Sequence, residues 1–363
     1  MKILSLNLKN YRNCENVSLD FPKRKTLIIG KNAQGKTNIL ESIYFLSGLK
    51  TPRTSVVSDL IKFGTNSCEI NANLERNNTE IELDFWYNIE KKRELKINKV
   101  KSQPRDFKQC LKTVLFSTKD LLLLRGTPQD RRDWLDRAIS QIYPAYDERL
   151  SKYDKIRVQK NNLLKNDCID NTLLDIYNEQ LVITGANIIL LRQKFLKEIQ
   201  QIASSKHKII SDSEEFSLNY TCPKEEINEI CEYLKNELEQ RKNEEIARHQ
   251  SCVGPHRDDI EFKINGIDAV KFASQGQQRT LVLALKLGEL QIIKEKTSYS
   301  PILLLDDVLA ELDEVRQNYL LKSIDDDVQT IITSVDTLLF EEEFLKDVQI
   351  YLIENGNCKI ITT

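Results

Sequence analysis

At 363 residues the chain is too long for one simple domain and suits two. Its 40% hydrophobic and 30% charged residues provide for a sizeable core, and no apolar run approaches the ~20 residues that cross a bilayer. Lys plus Arg total 53 against 55 Asp plus Glu, a balance that does not announce a nucleic-acid binder. The start, Met1 to Leu6, alternates like a strand and lacks the features of a signal peptide. Eight scattered cysteines, with no Cys-x-x-Cys pair and no zinc spacing, read as reduced thiols of a cytoplasmic protein.

In chain order, Leu4, Leu6 and Leu8 alternate, as do Val17, Leu19 and Phe21, so two strands open the chain. Thr26 to Ile29 is a short apolar run ending at Gly30, the pattern of a buried strand. A helix follows with Ile39, Ile43 and Leu46 on one face and Gly48 as its stop. Cys68 to Leu74 and Ile81 to Tyr87 alternate around an Arg76-Asn77-Asn78 turn, and Val114 to Phe116 reads as one more strand. Beyond residue 118 the pattern turns helical. Thr127-Pro128-Gln129-Asp130 combines an N-cap, a first-turn proline and an acid at the third helical position. Helical periodicity continues over 146–164 and from Leu173 to Ile202, and a polar, acidic helix is expected over 224–249. Strand signals return at Ile260, Phe262 and Ile264, with an Asn265-Gly266 hairpin turn and a return over 267–270. The chain then runs helix, apolar strand, helix, strand, with a last turn at Asn355-Gly356.

The expected fold class is therefore α/β. One domain is built from both chain ends (1–118 and 246–363), with a mostly helical domain (119–245) inserted between them.

Three separated segments carry chemistry. Gly30-Lys31-Asn32-Ala33-Gln34-Gly35-Lys36-Thr37 sits between a strand and a helix, the context that a phosphate-binding loop requires. Its backbone N–H groups would cradle phosphates, Lys36 would neutralise them, and Thr37 would place its hydroxyl on Mg²⁺. Leu303-Leu304-Leu305-Asp306-Asp307 reads as a parallel strand ending in two carboxylates where ligands of open α/β sheets sit. Asp306 would hold the metal, and Asp307 would polarise the attacking water. Ser274-Gln275-Gly276-Gln277-Gln278 caps an apolar helix and offers N–H groups, a hydroxyl and a positive dipole to an anion. It makes little sense within one copy of the chain and suggests a site completed by a second.

Charge is unevenly spread. Residues 91–112 hold nine Lys or Arg and two acids, and 147–165 hold six basic and three acidic residues, whereas 212–245 hold eleven acids and four bases. Such runs mark solvated faces, or a face that attracts phosphates.

With these segments in order, the chain resembles the ATP-binding-cassette superfamily, in its branch of DNA-repair and chromosome-maintenance ATPases that includes the SMC proteins. More narrowly it resembles the RecF family of bacterial recombination mediators. The matching stretches are Leu8 to Asn13, Gly30 to Ile43, Phe116-Ser117-x-x-Asp120-Leu121, Gly126-x-Pro128-x-x-Arg131-Arg132, Gly254 to Asp259 and Leu305 to Asp313. The resemblance implies an ABC-type P-loop ATPase head that pairs around ATP and Mg²⁺. Ser274, Gly276 and Gln277 would then act in trans on the γ-phosphate of the partner copy, Asp313 would lie in the loop linking the two sites, and Thr333 would sense the γ-phosphate. It further implies a weak DNA-dependent ATPase that binds single-stranded and gapped DNA and their duplex junctions. With RecR and RecO it would promote loading of RecA in repair, replication restart and the SOS response. Lys91, Lys92, Arg93, Lys152, Lys155 and Arg157, from the two basic runs, are the candidate DNA contacts. Two positions depart from the pattern: Asp307 stands where the superfamily has Glu, and Thr118 where the family has proline.

Arg12 is open between a nucleotide or DNA contact and an exposed strand end, and His256 and Arg257 between a DNA contact and a join of domains. Arg131 and Arg132, cations on a first helical turn, point to a phosphate or carboxylate partner, or to an ion pair between the two lobes. Rival readings are the ATPase subunit of a membrane transporter and a small-molecule kinase.

Overall fold

Both ends of the chain build one unit, Met1–Asp120 with Glu289–Thr363, and Leu121–Gly288 forms the other. The computed structural model describes residues 1–54, 56–211, 214–354 and 356–361, with the side chain of Lys92 left out. The Asn355 half of the expected last turn lies outside the described residues.

In the first unit an antiparallel sheet runs in the order Cys14–Asp20, Lys2–Tyr11, Ser67–Arg76, Thr79–Asn88, Lys92–Ile97, Val100–Lys101. The opening strand does not bury Leu4, Leu6 and Leu8 as strict alternation requires. A register shift between Ile3 and Ser5 puts Ile3 inside with Leu6 and Leu8. Asn77 and Asn78, at φ 51° and 59°, make the two-residue turn into Thr79–Asn88. The strands Lys92–Ile97 and Val100–Lys101 fall within the first basic run, where lysine and arginine hide the alternation.

The second sheet of this unit positions the site. Its order is Asn357–Ile361, Val348–Glu354, Lys25–Ile29, Thr330–Ser334, Ile302–Asp306, Thr113–Ser117, parallel throughout except for the terminal hairpin. Thr330–Ser334 and Thr113–Ser117 are buried at every position, and Ile302–Asp306 at all but its last, because both faces of the sheet are covered. The helix Lys36–Gly48 leaves the central strand through the loop at Gly30.

The second unit is mostly helical. Its longest helix, Asn171–Ile210, is 40 residues and extends beyond the expected end at 202. It packs Val182, Ala186 and Ile189 against Ile230, Leu234 and Leu238 of Ile227–Gln240. The acidic helix expected over 224–249 is two, Ile227–Gln240 and Lys242–Arg248, parted at Arg241. The boundary expected at 245 falls inside this unit. Ile260–Ile264 pairs antiparallel with Phe216–Tyr220, a strand concealed within the acidic run, and with Ile267–Asp268, so 246–288 group with the helices. The return expected over 267–270 is correspondingly short, and Ala269–Phe272 is helical.

Candidate nucleotide site

The loop from Gly30 to Gly35 has two positions that only glycine fills. A Cβ at Gly30 would lie 2.5 Å from the carbonyl oxygen of Ile353. Gly35 has φ 113°, and a Cβ there would meet the Asn13 side chain at 2.9 Å. Lys36 is 4% exposed, and its ammonium donates to the carbonyls of Gly30 at 2.7 Å and Lys31 at 3.3 Å, spanning the loop. Lys31, Asn32 and Ala33 are exposed at its rim.

Two strand ends and the start of a helix meet at one carboxylate. Asp306 Oδ1 accepts from the Thr37 hydroxyl at 2.9 Å and the Thr333 hydroxyl at 3.0 Å. The Thr333 oxygen in turn accepts from the main-chain N–H of Asp307 at 2.9 Å. Parallel pairing sets this geometry, since Asp306 and Thr333 are register partners. Burial pushes the Asp306 carboxyl up from its ordinary range, opposed by the hydrogen bonds from Thr37 and Thr333. Asp307 has φ 51°, so its side chain leaves the strand in a different direction from that of Asp306. No cluster of three or more His, Cys, Asp or Glu is found among the described residues. The hydroxyl and carboxylate of Thr37 and Asp306 are the hard oxygen donors that a strongly hydrated cation takes in ones and twos beside a phosphate.

Behind the loop lies a cluster that the sequence did not single out. Glu41, one helical turn beyond Thr37, is 2% exposed. Its oxygens lie 3.0 Å from Arg12 and 3.0 Å from Arg53. These contacts lack hydrogen-bond angles, so charge rather than directed bonding holds them. Burial raises the Glu41 carboxyl, opposed by Arg12 and then Arg53. Arg53 also donates to Asn38 Oδ1 at 3.0 Å, and Asn38 donates to Asn13 Oδ1 at 2.6 Å. Arg12 is thus part of the support of the loop. Only the buried position of an acid on the helix face hinted at this, and Arg53 belongs to no motif.

The other candidates divide between the units. Asp313 caps the helix Glu314–Lys322, accepting from the Arg316 N–H at 2.9 Å and pairing with its guanidinium. Ser274, Gly276 and Gln277 lie in the second unit at the start of the helix Gln275–Thr297. Lys91, Arg93, Lys152 and Lys155 are exposed, Arg157 pairs with Asp154 at 3.1 Å, and the side chain of Lys92 is outside the described residues. Arg131 finds the carboxylate that its position demanded, with two contacts to Asp259 at 2.6 and 2.8 Å, while Arg132 donates to the Asp258 carbonyl and to Gln129. His256 bonds Tyr153 and the Ser251 carbonyl, and Arg257 donates to that carbonyl, all within the second unit.

A glycine-rich loop leaving the central parallel strand, with an acidic strand end and a threonine hydroxyl bonded to it, defines an ABC-type P-loop ATPase head built from both chain ends. The chain belongs to the family described as the RecF/RecN/SMC N-terminal domain, which matches residues 2–359. It is 39% identical over 375 residues to the DNA replication and repair protein RecF of Bacillus cereus (strain G9842), covering 99% of each. It is 40% identical over 364 residues to that of Streptococcus gordonii, covering 99% of this chain and 100% of the relative. A solved structure described as the recombination mediator protein RecF with ATPrS in the RecFOR pathway superposes at TM-score 0.92 with 33% identity, covering 99% of this chain and 98% of that one. An SMC head bound to the C-winged helix domain of ScpA shares the fold alone, at TM-score 0.56 and 16% identity over 100% of this chain and 98% of the other.

Proposed function

We propose that the chain is an ATP-dependent DNA-binding protein of recombinational repair and replication restart, which pairs with a second copy around ATP. One observation carries the reading. Lys36 and Asp306, a buried cation and a largely buried anion, are held by carbonyls and hydroxyls rather than by each other. Lys36 lies at the start of the helix that follows Lys25–Ile29 and Asp306 at the end of Ile302–Asp306, with Thr330–Ser334 between those two strands. Such charges suit a ligand that brings the opposite sign, a triphosphate with its metal.

In this reading the backbone of Gly30 to Gly35 grips the phosphates, and Lys36 turns from its carbonyls towards them. Thr37 and Asp306 would hold Mg²⁺, which would neutralise phosphate charge. Asp307 takes the proton of the attacking water, and Thr333, bonded to both Asp306 and the Asp307 N–H, keeps the two acids in register. Ser274, Gly276 and Gln277 serve the phosphate held by the partner copy, and Asp313 lies in the loop between the two sites. Slow hydrolysis releases the DNA.

The relatives' descriptions, a DNA replication and repair protein and a recombination mediator in the RecFOR pathway, support DNA, RecR and RecO as partners. RecA loading and SOS induction as outcomes, and action in the cytoplasm, belong to the same proposal. The full-length likeness to RecF relatives favours this reading over the transporter subunit. Sizing the protein without nucleotide, with ADP and with ATP, each with and without gapped DNA, tests it. Pairing only with ATP, and DNA retained only by the pair, is expected. Hydrolysis at full rate at any dilution would overturn it.

A further inference from the structure

The trans motif is closed on itself. The Ser274 N–H donates to Gln277 Oε1 at 2.8 Å, and the Gln277 N–H donates to Ser274 Oγ at 3.2 Å, a reciprocal capping box. The outer end of the Gln277 amide is held as well, since its Nε2 donates to Glu214 Oε1 at 2.7 Å. A carboxylate only accepts, so Glu214 captures the nitrogen of the amide and leaves its oxygen for the Ser274 N–H. A flipped amide would set acceptor against acceptor at Glu214 and donor against donor at Ser274. The Ser274 oxygen, having accepted from Gln277, keeps its own hydrogen to give, and Ser274 is exposed.

Glu214 is itself anchored. Its main-chain carbonyl lies 3.4 Å from Nδ1 of His207, whose ring is fully buried and tilted against Phe216. The next residue is pinned by two bonds, with the Glu215 N–H donating to Asn265 Oδ1 and the Asn265 N–H to the Glu215 carbonyl, each at 2.8 Å. His207 Nε2, 3.9 Å from the Glu214 carboxylate, has no hydrogen-bond partner among the described residues. The carboxylate therefore sits in a fixed place between a buried imidazole and the motif.

We propose that Glu214 is a positioning residue of the trans motif, which fixes the Gln277 amide and so directs the Ser274 hydroxyl as a donor towards a nucleotide phosphate. This rests on the reading above, that Ser274 meets the phosphate of a partner copy. Glu214 touches no ligand and acts only through Gln277.

The test uses the full-length protein. ATP-driven pairing is measured by sedimentation over an ATP titration, and binding of a fluorescent ATP analogue is measured at a dilution where the chain is monomeric. Glu214→Ala should weaken pairing about tenfold or more, the scale of a hydrogen bond to a charged group, with nucleotide binding by the monomer unchanged. Glu214→Gln keeps an oxygen that can still accept from Gln277 Nε2 and should restore most of the pairing, whereas Glu214→Met, of similar length but with no comparable acceptor, should weaken pairing like Glu214→Ala, which separates orientation from packing. The double variant Glu214→Ala with Gln277→Ala should pair no worse than Gln277→Ala alone. Wild-type pairing by Glu214→Met, or additive losses in the double variant, would overturn this inference while Ser274→Ala still blocks pairing and the reading stands. Normal pairing by Ser274→Ala would instead bring down the trans reading, and this inference with it.

Discussion

In the helical unit the ammonium of Lys160 lies 2.6 Å from the carboxylate of Glu245, both almost wholly buried, whereas in the ATPase unit the buried ammonium of Lys36 lies against two main-chain carbonyls. The same contrast recurs among the anions. Asp259 has Arg131 and Asp136 has Arg192, each below 3 Å, while Asp306 has two threonine hydroxyls. Taking a charge out of water is costly unless a counter-charge or a set of hydrogen bonds compensates it. The helical unit compensates within itself, so its charges are finished structure. Around the phosphate loop the hydrogen-bond partners are neutral carbonyls and hydroxyls, which is what the proposed function asks of charges that await a ligand. Glu41 marks the border: it lies on the phosphate-loop helix yet is paired with Arg12 and Arg53, and so belongs to the scaffold.

The comparison breaks most readily at Lys160. Lys160→Met should strand the buried Glu245 carboxylate and cost about 3–5 kcal/mol, read from denaturant midpoints. Replacing Glu245 as well, by Leu, should recover much of that loss. A small effect from the single variant would mean that this pair is not structural. The next largest effect concerns turnover. Asp307→Asn keeps the shape but not the base, so ATP hydrolysis should fall on the order of 100-fold while ATP-driven pairing persists and is prolonged on DNA. Pairing no better than that of wild type would remove Asp307 from the hydrolytic role. Lys36→Met should lower ATP affinity by about 10–100-fold, the scale of a charged hydrogen bond, while leaving the denaturant midpoint nearly unchanged or higher. A large loss of stability there would show Lys36 to be scaffold, like Lys160.

What was legible in the sequence follows the same division. The strand, loop and helix around Gly30 to Thr37, and the apolar strand that ends at Asp306, were readable because their signals are local: glycine spacing, a strand before and a helix after, and an apolar run closed by acids. The Thr127–Asp130 capping box was readable for the same reason, and both of its bonds are present. The strand Phe216–Tyr220 was not, because acidic residues on both sides drown a five-residue signal and its partner lies forty residues on. The grouping of 246–288 with the helices was lost with it. Nor could spacing reveal that Glu41 meets Arg12 and Arg53, or that Glu214 reaches Gln277 across sixty-three residues, since those contacts exist only once distant segments pack. Leu4 was misplaced because a register shift leaves no mark in an alternating apolar run.

The smallest expected effect probes whether every carboxylate of the helical unit is as settled as Asp259. Asp258 accepts from the Tyr220 hydroxyl at 2.8 Å, near Arg192 and Arg132. Burial nonetheless dominates, and its carboxyl is pushed up to about 6. A carboxyl raised in the folded state stabilises the fold fully below its ordinary value of 3.8, and that contribution is lost as pH rises through about 6. Asp258→Asn stays neutral throughout and can still accept from Tyr220. The stability of this variant relative to wild type should therefore climb between pH 4 and pH 7. Asp258 keeps some contact with water, so the climb should be about 1 kcal/mol, short of what the whole shift would convert to. His256 is present in both proteins and is held down to about 3 by burial, so its contribution largely cancels in the difference. Denaturant midpoints of the two proteins at matched pH values give the result. A difference that is flat, or that falls with pH, would mean that Arg192 and Arg132 already hold Asp258 ionised, and that this carboxylate too is paired structure.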